Sequence, residues 1–425
     1  MKVHRRLLGL AGVCAATGGA VAVLATGAQA GHTRASAAAA PKQIVVGTLY
    51  ASSGAYAADS LPQYDGVKFW VNQMNKSGGV YVAAYHKKIH VKLVAYNDQS
   101  SPTTAATLYS QLITQNHVNI MIPDFGSVLT APAVSIAQDH HQLLFDATAS
   151  GTVFFTPNNP YIVGSGIRNS AFWPQPLVQF LVAKHIKKIA ILYDANDFDA
   201  AQAATLDHGL KAHGIRPVYY QSTATTTTTY GTLIDSIAAT NPQAVIEFGY
   251  NTNDVPFLNT IPTSGHRFNM VFTVFPGQLP QLFQQEVGTK NLGYTYTYAT
   301  PPLVPYSKVN LGLNTAQFSR AFKHSFPSVP VTYPAMAGYG TALIAQEALA
   351  KASSFTQLAM RRAIGNESGK LTTAIGQFKI TKDGAQEGEF LPVGQVFPSH
   401  GGTTIKVVYP TSMATTKAKY PAPKG

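Results

Sequence analysis

The sequence predicts an α/β fold of two doubly wound parallel-sheet lobes. Short apolar runs alternate with helix-like stretches at a regular pace, and near Ile167 that rhythm stops and begins again. Length agrees. Setting aside an N-terminal leader of 30 residues, 425 minus 30 leaves 395, more than one hydrophobic core usually organises.

In the first half, Ile44 to Leu49 reads as a strand, after which Tyr64, Val67, Val71 and Met74 recur at helical spacing. Ile89 to Ala95 is a second strand. Ser101 is placed to cap the next helix, with Pro102 at its first position and Ala105, Leu108 and Leu112 forming one apolar face. Strand Val118 to Ile122, helix Thr130 to Gln138 and strand Gln142 to Phe145 complete this half. The second half reads as strand Lys188 to Tyr193, helix Ala200 to His213, strand Arg216 to Tyr220 and helix Tyr230 to Ala239. Strand Ala244 to Phe248, helix Asp254 to Thr263 and strand Met270 to Val274 follow. Such βαβ repeats place helices on both sheet faces. Thr225 to Thr229 reads as a solvated loop.

Lys2, Arg5 and Arg6 precede the apolar run Leu7 to Leu24, and Ala28-Gln29-Ala30 has the form of a cleavage site. An exported protein is expected, with residues 1–30 removed and 31–42 a disordered lead. Gly9, Gly12, Gly18 and Gly19 interrupt the apolar run, and no other segment offers about twenty uninterrupted apolar residues to span a bilayer. The single cysteine, Cys14, lies in the leader, where Val13 takes the place a lipid-attachment site gives to a small residue. The mature chain therefore has no disulfide, thiol nucleophile or cysteine-ligated metal. Charged residues make up 12%, and the formal net charge of +12 falls to +9 without Lys2, Arg5 and Arg6. The excess reflects scarce acids. Basic residues are scattered rather than gathered on one face, which argues against a nucleic-acid partner. Few carboxylates also means few native contacts to lose by protonation, so tolerance of acid is expected.

Three times a small polar residue stands just past an apolar strand: Ser53-Gly54, Gly126-Ser127 and Ala149-Ser150. In a parallel sheet those strand ends share one edge, where small residues let backbone N–H groups face a ligand. Turns and helix caps favour the same residues, so the alignment of three sites is what marks them as contacts.

Other chemistry lacks its pattern. No G-x-S-x-G nucleophile turn, H-E-x-x-H pair, Walker A loop or G-x-G-x-x-G fingerprint follows a strand, and the adjacent His140-His141 point apart. No catalytic residue, metal site or cofactor is expected.

At this point the residues carry a likeness. Ile44 to Gly47, Ser53-Gly54, Gly66 with Asn72 to Gly79, Lys88 to Val94 and Asn97-Asp98 resemble the opening of the branched-chain amino-acid-binding receptors of ABC transporters. These are type I periplasmic binding proteins. Ala190 to Asp194, Tyr230 to Asp235, Asn241 to Val245, Gly249-Tyr250, Ile375-Gly376 and Lys382 to Gly384 continue the resemblance. It implies three hinge crossovers, near Val163 to Arg168, Thr297 to Pro302 and Asp383 to Phe390. The lobes become 43–165 plus 300–385 and 166–299 plus 386–412, with a flexible tail over 413–425. A small-molecule ligand between the lobes, closure about the hinge, an ABC permease as membrane partner and a monomeric state are further implications.

Carried over by position, the family's lobe-one contacts fall at the loop Ser53 to Asp59, with Ser53, Gly54 and Tyr56, at Phe125 and Ser127, and at Ala149 and Ser150. Its lobe-two aromatic contacts fall at Phe198 and Tyr250, with Phe275 beside them. One departure stands out. The family's amino-acid receptors hold the ligand ammonium with an acid just after a lobe-two strand, where this chain has Phe272 to Gly277 and no carboxylate. A small carboxylate fits better, unless Asp59, Asp124 or Asp146 meets the amine from the other side. A sensory ligand-binding subunit and a secreted α/β hydrolase are the alternative functions.

Overall fold

A computed structural model describes residues 39–423. The leader, its cleavage motif and Cys14 lie outside the described residues.

Two sheets organise the chain. In the first, the strands run in the order Val91–Asn97, Ile44–Tyr50, Ile120–Ile122, Leu144–Asp146, Ile162–Gly164, all parallel. Apolar residues buried on both faces explain why Ile120–Ile122 reads as an unbroken apolar run. Helix Pro102–Thr114 starts as its sequence requires, the Ser101 hydroxyl accepting from the Thr104 N–H at 3.2 Å with Pro102 in the first turn. It packs with Gly126–Asp139 over one face of the sheet, while Ala57–Lys76 and Tyr333–Lys351 pack together over the other.

The second sheet runs Gly402–Tyr409, Val393–Ser399, Tyr296–Tyr298, Val271–Phe272, Ala244–Phe248, Ile189–Asp194, Tyr219–Thr223. Its last five strands are parallel, as expected. The two C-terminal strands form a hairpin that joins antiparallel to Tyr296–Tyr298.

The chain passes between the sheets three times: after Gly164, after Tyr298, and between Phe378 and Val393. The first and third passages run side by side. Gly164 and Asn169 donate backbone bonds to Gly384 and Gln386 at 2.8 and 2.9 Å, and the Glu389 carboxylate accepts from the Arg168 N–H at 2.9 Å.

Several elements differ from expectation. Ile89 to Ala95 divides into Lys87–Ile89, which pairs with Val80–Val82, and the sheet strand Val91–Asn97. Helix Thr130 to Gln138 starts earlier, at Gly126, whose φ of 77° suits a residue without a Cβ. Strand Arg216 to Tyr220 is displaced to Tyr219–Thr223, and Met270 to Val274 shrinks to Val271–Phe272. The segment expected as a flexible tail is tied down: Lys419 bonds Gln395 through both backbone groups and Ala422 donates to Asn269 at 2.8 Å.

Candidate functional site

In an open α/β sheet, ligands bind where the strand order reverses, beyond the carboxyl ends of the strands. The first sheet reverses between Ile44–Tyr50 and Ile120–Ile122, and the second between Ile189–Asp194 and Ala244–Phe248. Tyr56 and Phe125 come from the loops at the first point; Phe198 and Tyr250 follow the strands at the second.

These side chains meet. The Tyr250 ring stacks on Phe275 at 5.4 Å between centroids and lies 5.3 Å from Phe198. It also meets Tyr56 edge-on at 5.2 Å and Phe125 at 6.5 Å, so five rings from both halves form one cluster. Such separations suit edge-to-face and offset aromatic contact. The Tyr250 hydroxyl accepts the Ser127 N–H at 3.1 Å. Ser127 in turn receives the Ser150 and Gly151 N–H groups on its own hydroxyl, both at 3.1 Å. A Cβ on Gly126 would stand 3.1 Å from the Tyr250 oxygen, so glycine leaves the space the phenol occupies.

A cavity of about 10 Å³ remains among Phe125, Gly126, Thr148, Ile167, Trp173, Phe198, Tyr250, Phe275 and Gln278. That is room for about one water molecule. A solute the size of an amino acid enters only if the rings part, which separating the lobes would do.

Of the expected contacts, Tyr56, Phe125, Ser127, Phe198, Tyr250 and Phe275 thus come together, with Ser150 joined through Ser127. Ala149 is buried behind them, its N–H bound to Asp146 at 2.9 Å. Ser53 and Gly54 lie apart on an exposed loop, where the Ser53 carbonyl accepts the Ser100 hydroxyl at 2.7 Å. Sequence reasoning missed Trp173, whose ring meets Phe198 at 5.1 Å, because it follows a crossover rather than a strand. It also missed Thr148, which links the Gly126 N–H to Gln63, although Thr148 directly precedes the marked Ala149-Ser150 pair.

The electrostatics are acidic and buried. Asp124 accepts from the Ser60 hydroxyl and the Phe125 N–H, and Asp146 caps Ala149, so both make local structural contacts. Burial raises Asp146 to about 8, against its bonds from Ala149 and Thr148. In the second half, burial raises Asp194 and Asp254 to about 7, and raises Asp199 and Glu247 well above the carboxylate range, with neighbouring acids adding to it. Asp254 adds to the upward shift of Glu247, and Asp98 to that of Asp124, as neighbouring acids do. Among the described residues, no group of histidine, cysteine and acidic side chains is placed to hold a metal ion.

Two sheets with facing switch points are thus joined by three passages of chain, two of them bonded side by side. A family model described as periplasmic binding protein matches residues 43–398. The chain belongs to that family. A curated relative, Leu/Ile/Val-binding protein homolog 7 of Brucella abortus (strain 2308), is 23% identical over 368 residues, covering 83% of this chain and 89% of its own. Among solved structures, the branched-chain amino acid transporter substrate-binding protein LivJ of Streptococcus pneumoniae, in complex with isoleucine, superposes with a TM-score of 0.71. Its identity is 18%, and the match covers 87% of this chain and all of that one. An ABC transporter solute-binding protein of R. palustris in complex with benzoate gives 0.70 at 15% identity, covering 85% and 95%. At those identities the superpositions speak for the fold. Among the described residues no helix is long and apolar enough to cross a membrane.

Proposed function

We propose that this protein is the exported solute receptor of an ABC importer, closing its lobes on a small organic ligand and delivering it to a membrane permease without making or breaking bonds. The observation that carries the reading is the contact between Tyr250 and Ser127, which joins the two switch points inside an aromatic cluster. Rings from both halves can part and re-form around an apolar body, and the N–H groups of Ser127, Ser150 and Gly151 can turn to a ligand's polar end. The named relatives supply the ligand classes to try first: branched-chain amino acids, as with the Brucella protein and LivJ, and aromatic carboxylates, as with the R. palustris protein. Lobe boundaries at 43–165 plus 300–385 and 166–299 plus 386–412 go with this reading, as does action as a monomer.

The test is a thermal-shift screen of amino acids and organic acids on the mature protein, followed by small-angle scattering. A true ligand at one hundred times its dissociation constant raises stability by about 2.7 kcal/mol and reduces the radius of gyration. Conversion of the compound to product would defeat the proposal.

A further inference from the structure

Asp59 stands in the first turn of helix Ala57–Lys76, three residues after Tyr56, whose ring already touches Tyr250 across the cleft. The residue has no exposed surface, and neither carboxyl oxygen has a hydrogen-bond partner. Its neighbours in charge are Asp254 from the second lobe and Asp124 from its own, so the carboxyl lies in the seam between lobes. Both neighbours are engaged already, Asp254 with the Phe275 N–H at 2.7 Å and Asp124 with Ser60 and the Phe125 N–H. The ion pairs among the described residues, such as Lys211 with Asp207 and Lys379 with Glu387, lie elsewhere and leave these acids without a cation.

A buried carboxyl in that setting is costly in either form. Ionised, it lacks a counter-charge; protonated, it lacks an acceptor. A cationic group supplying N–H donors would satisfy both oxygens and neutralise the acids behind them, and the neighbouring ring of Tyr56 is compatible with a positive charge nearby. We propose that Asp59 receives an ammonium group of the bound solute, with Asp254 closing on it from the second lobe. The missing acid after Val271–Phe272 is then replaced from the first lobe, and amine-bearing solutes are selected over plain carboxylates.

This inference rests on the receptor reading, and the experiment separates the two. Titration calorimetry on the mature protein at pH 7 compares matched probes: leucine, 3-methylbutylamine and 4-methylpentanoate, then benzylamine and benzoate. Small-angle scattering records closure with each. Within each skeleton an amine-bearing probe should bind about tenfold or more tightly than the acid lacking nitrogen, and Asp59→Asn should remove that preference by weakening the amine-bearing probes. An acid that binds as tightly as its amine counterpart, or an amine that binds Asp59→Asn as well as the native chain, overturns the proposal and leaves the receptor reading standing. Absence of both binding and closure across the panel overturns the two together. Ligand-free Asp59→Asn should melt no lower than the native protein at pH 7, since it loses only an uncompensated group. Asp254→Asn provides the second variant, with a smaller loss of amine affinity expected.

Discussion

The Tyr250 hydroxyl accepts the backbone N–H of Ser127 at 3.1 Å, and this one bond joins the switch points of two sheets. Tyr250→Phe keeps the ring against Phe275 and removes the acceptor, leaving the Ser127 N–H unpaired whenever the lobes are shut. Closure without ligand should become less favourable by about 1 kcal/mol, roughly fivefold in population. Scattering from the ligand-free variant should report a larger radius of gyration. A profile identical to that of the native protein would show that the bond does not hold the lobes.

Stability should fall as pH rises. Asp194 and Asp254 titrate near 7 and Asp146 and Glu389 near 8 in the folded chain, all lifted by burial, against about 4 when unfolded. The folded state therefore binds more protons. The stability these groups contribute is fully present below pH 4 and is lost as pH climbs through 7 and 8. Urea unfolding at pH 4.5 and 8.5 should differ by an amount on the order of several kcal/mol in favour of acid. A flat or opposite profile would contradict these assignments. The expectation of acid tolerance drawn from scarce carboxylates has a second source here, since the buried acids favour low pH instead of opposing it.

Asp146 isolates one such group. Its Oδ1 accepts the Ala149 N–H at 2.9 Å, a role an amide oxygen can also fill. Asp146→Asn should therefore be within about 1 kcal/mol of the native protein at pH 6 and more stable than it at pH 8.5. Equal destabilisation at both values would mean that the charged form is required.

Gly66 and Gly338 let helices Ala57–Lys76 and Tyr333–Lys351 cross closely. A Cβ on Gly66 would press into the Ala335 carbonyl and stand 3.0 Å from the Tyr339 nitrogen, while one on Gly338 would meet the Gln63 carbonyl carbon at 3.0 Å. Backbone cannot yield there as a side chain could. Gly66→Ala should destabilise the protein by about 1–3 kcal/mol in urea unfolding. Unaltered stability would show that the helices can separate at no cost.

Periodicity made four of the five strands of the first sheet and the helices between them legible, because each carries an apolar run or stripe that its buried position requires, whereas the short Ile162–Gly164 was read only as the start of a crossover. Ala244–Phe248 falls where the apolar run places it. Tyr219–Thr223 was misplaced because, at the sheet edge, its side chains are mostly exposed and carry no apolar signal. The hairpin Val393–Tyr409 went unread although Val393, Val396, Ile405 and Val407 give it an apolar pattern, because its antiparallel addition beside Tyr296–Tyr298 departs from the βαβ rhythm of the rest. At the site, positions just past strand ends were readable, whereas the seam formed by Asp59 and Asp254 is not. Those residues lie 195 positions apart, from 59 to 254, and only the closed arrangement of lobes brings their charges together.

That late hairpin has a kinetic consequence. Until residues 393–409 emerge and dock, Tyr296–Tyr298 has open hydrogen-bonding groups along one side, and its partner Val393 lies 95 positions away from Tyr298 in the chain. Pairings between such distant positions slow folding and lengthen the time during which an uncovered strand can capture another molecule. A polypeptide that assembles this way keeps the edge of its second sheet incomplete until that hairpin has been made, whatever the rest of the molecule has already done.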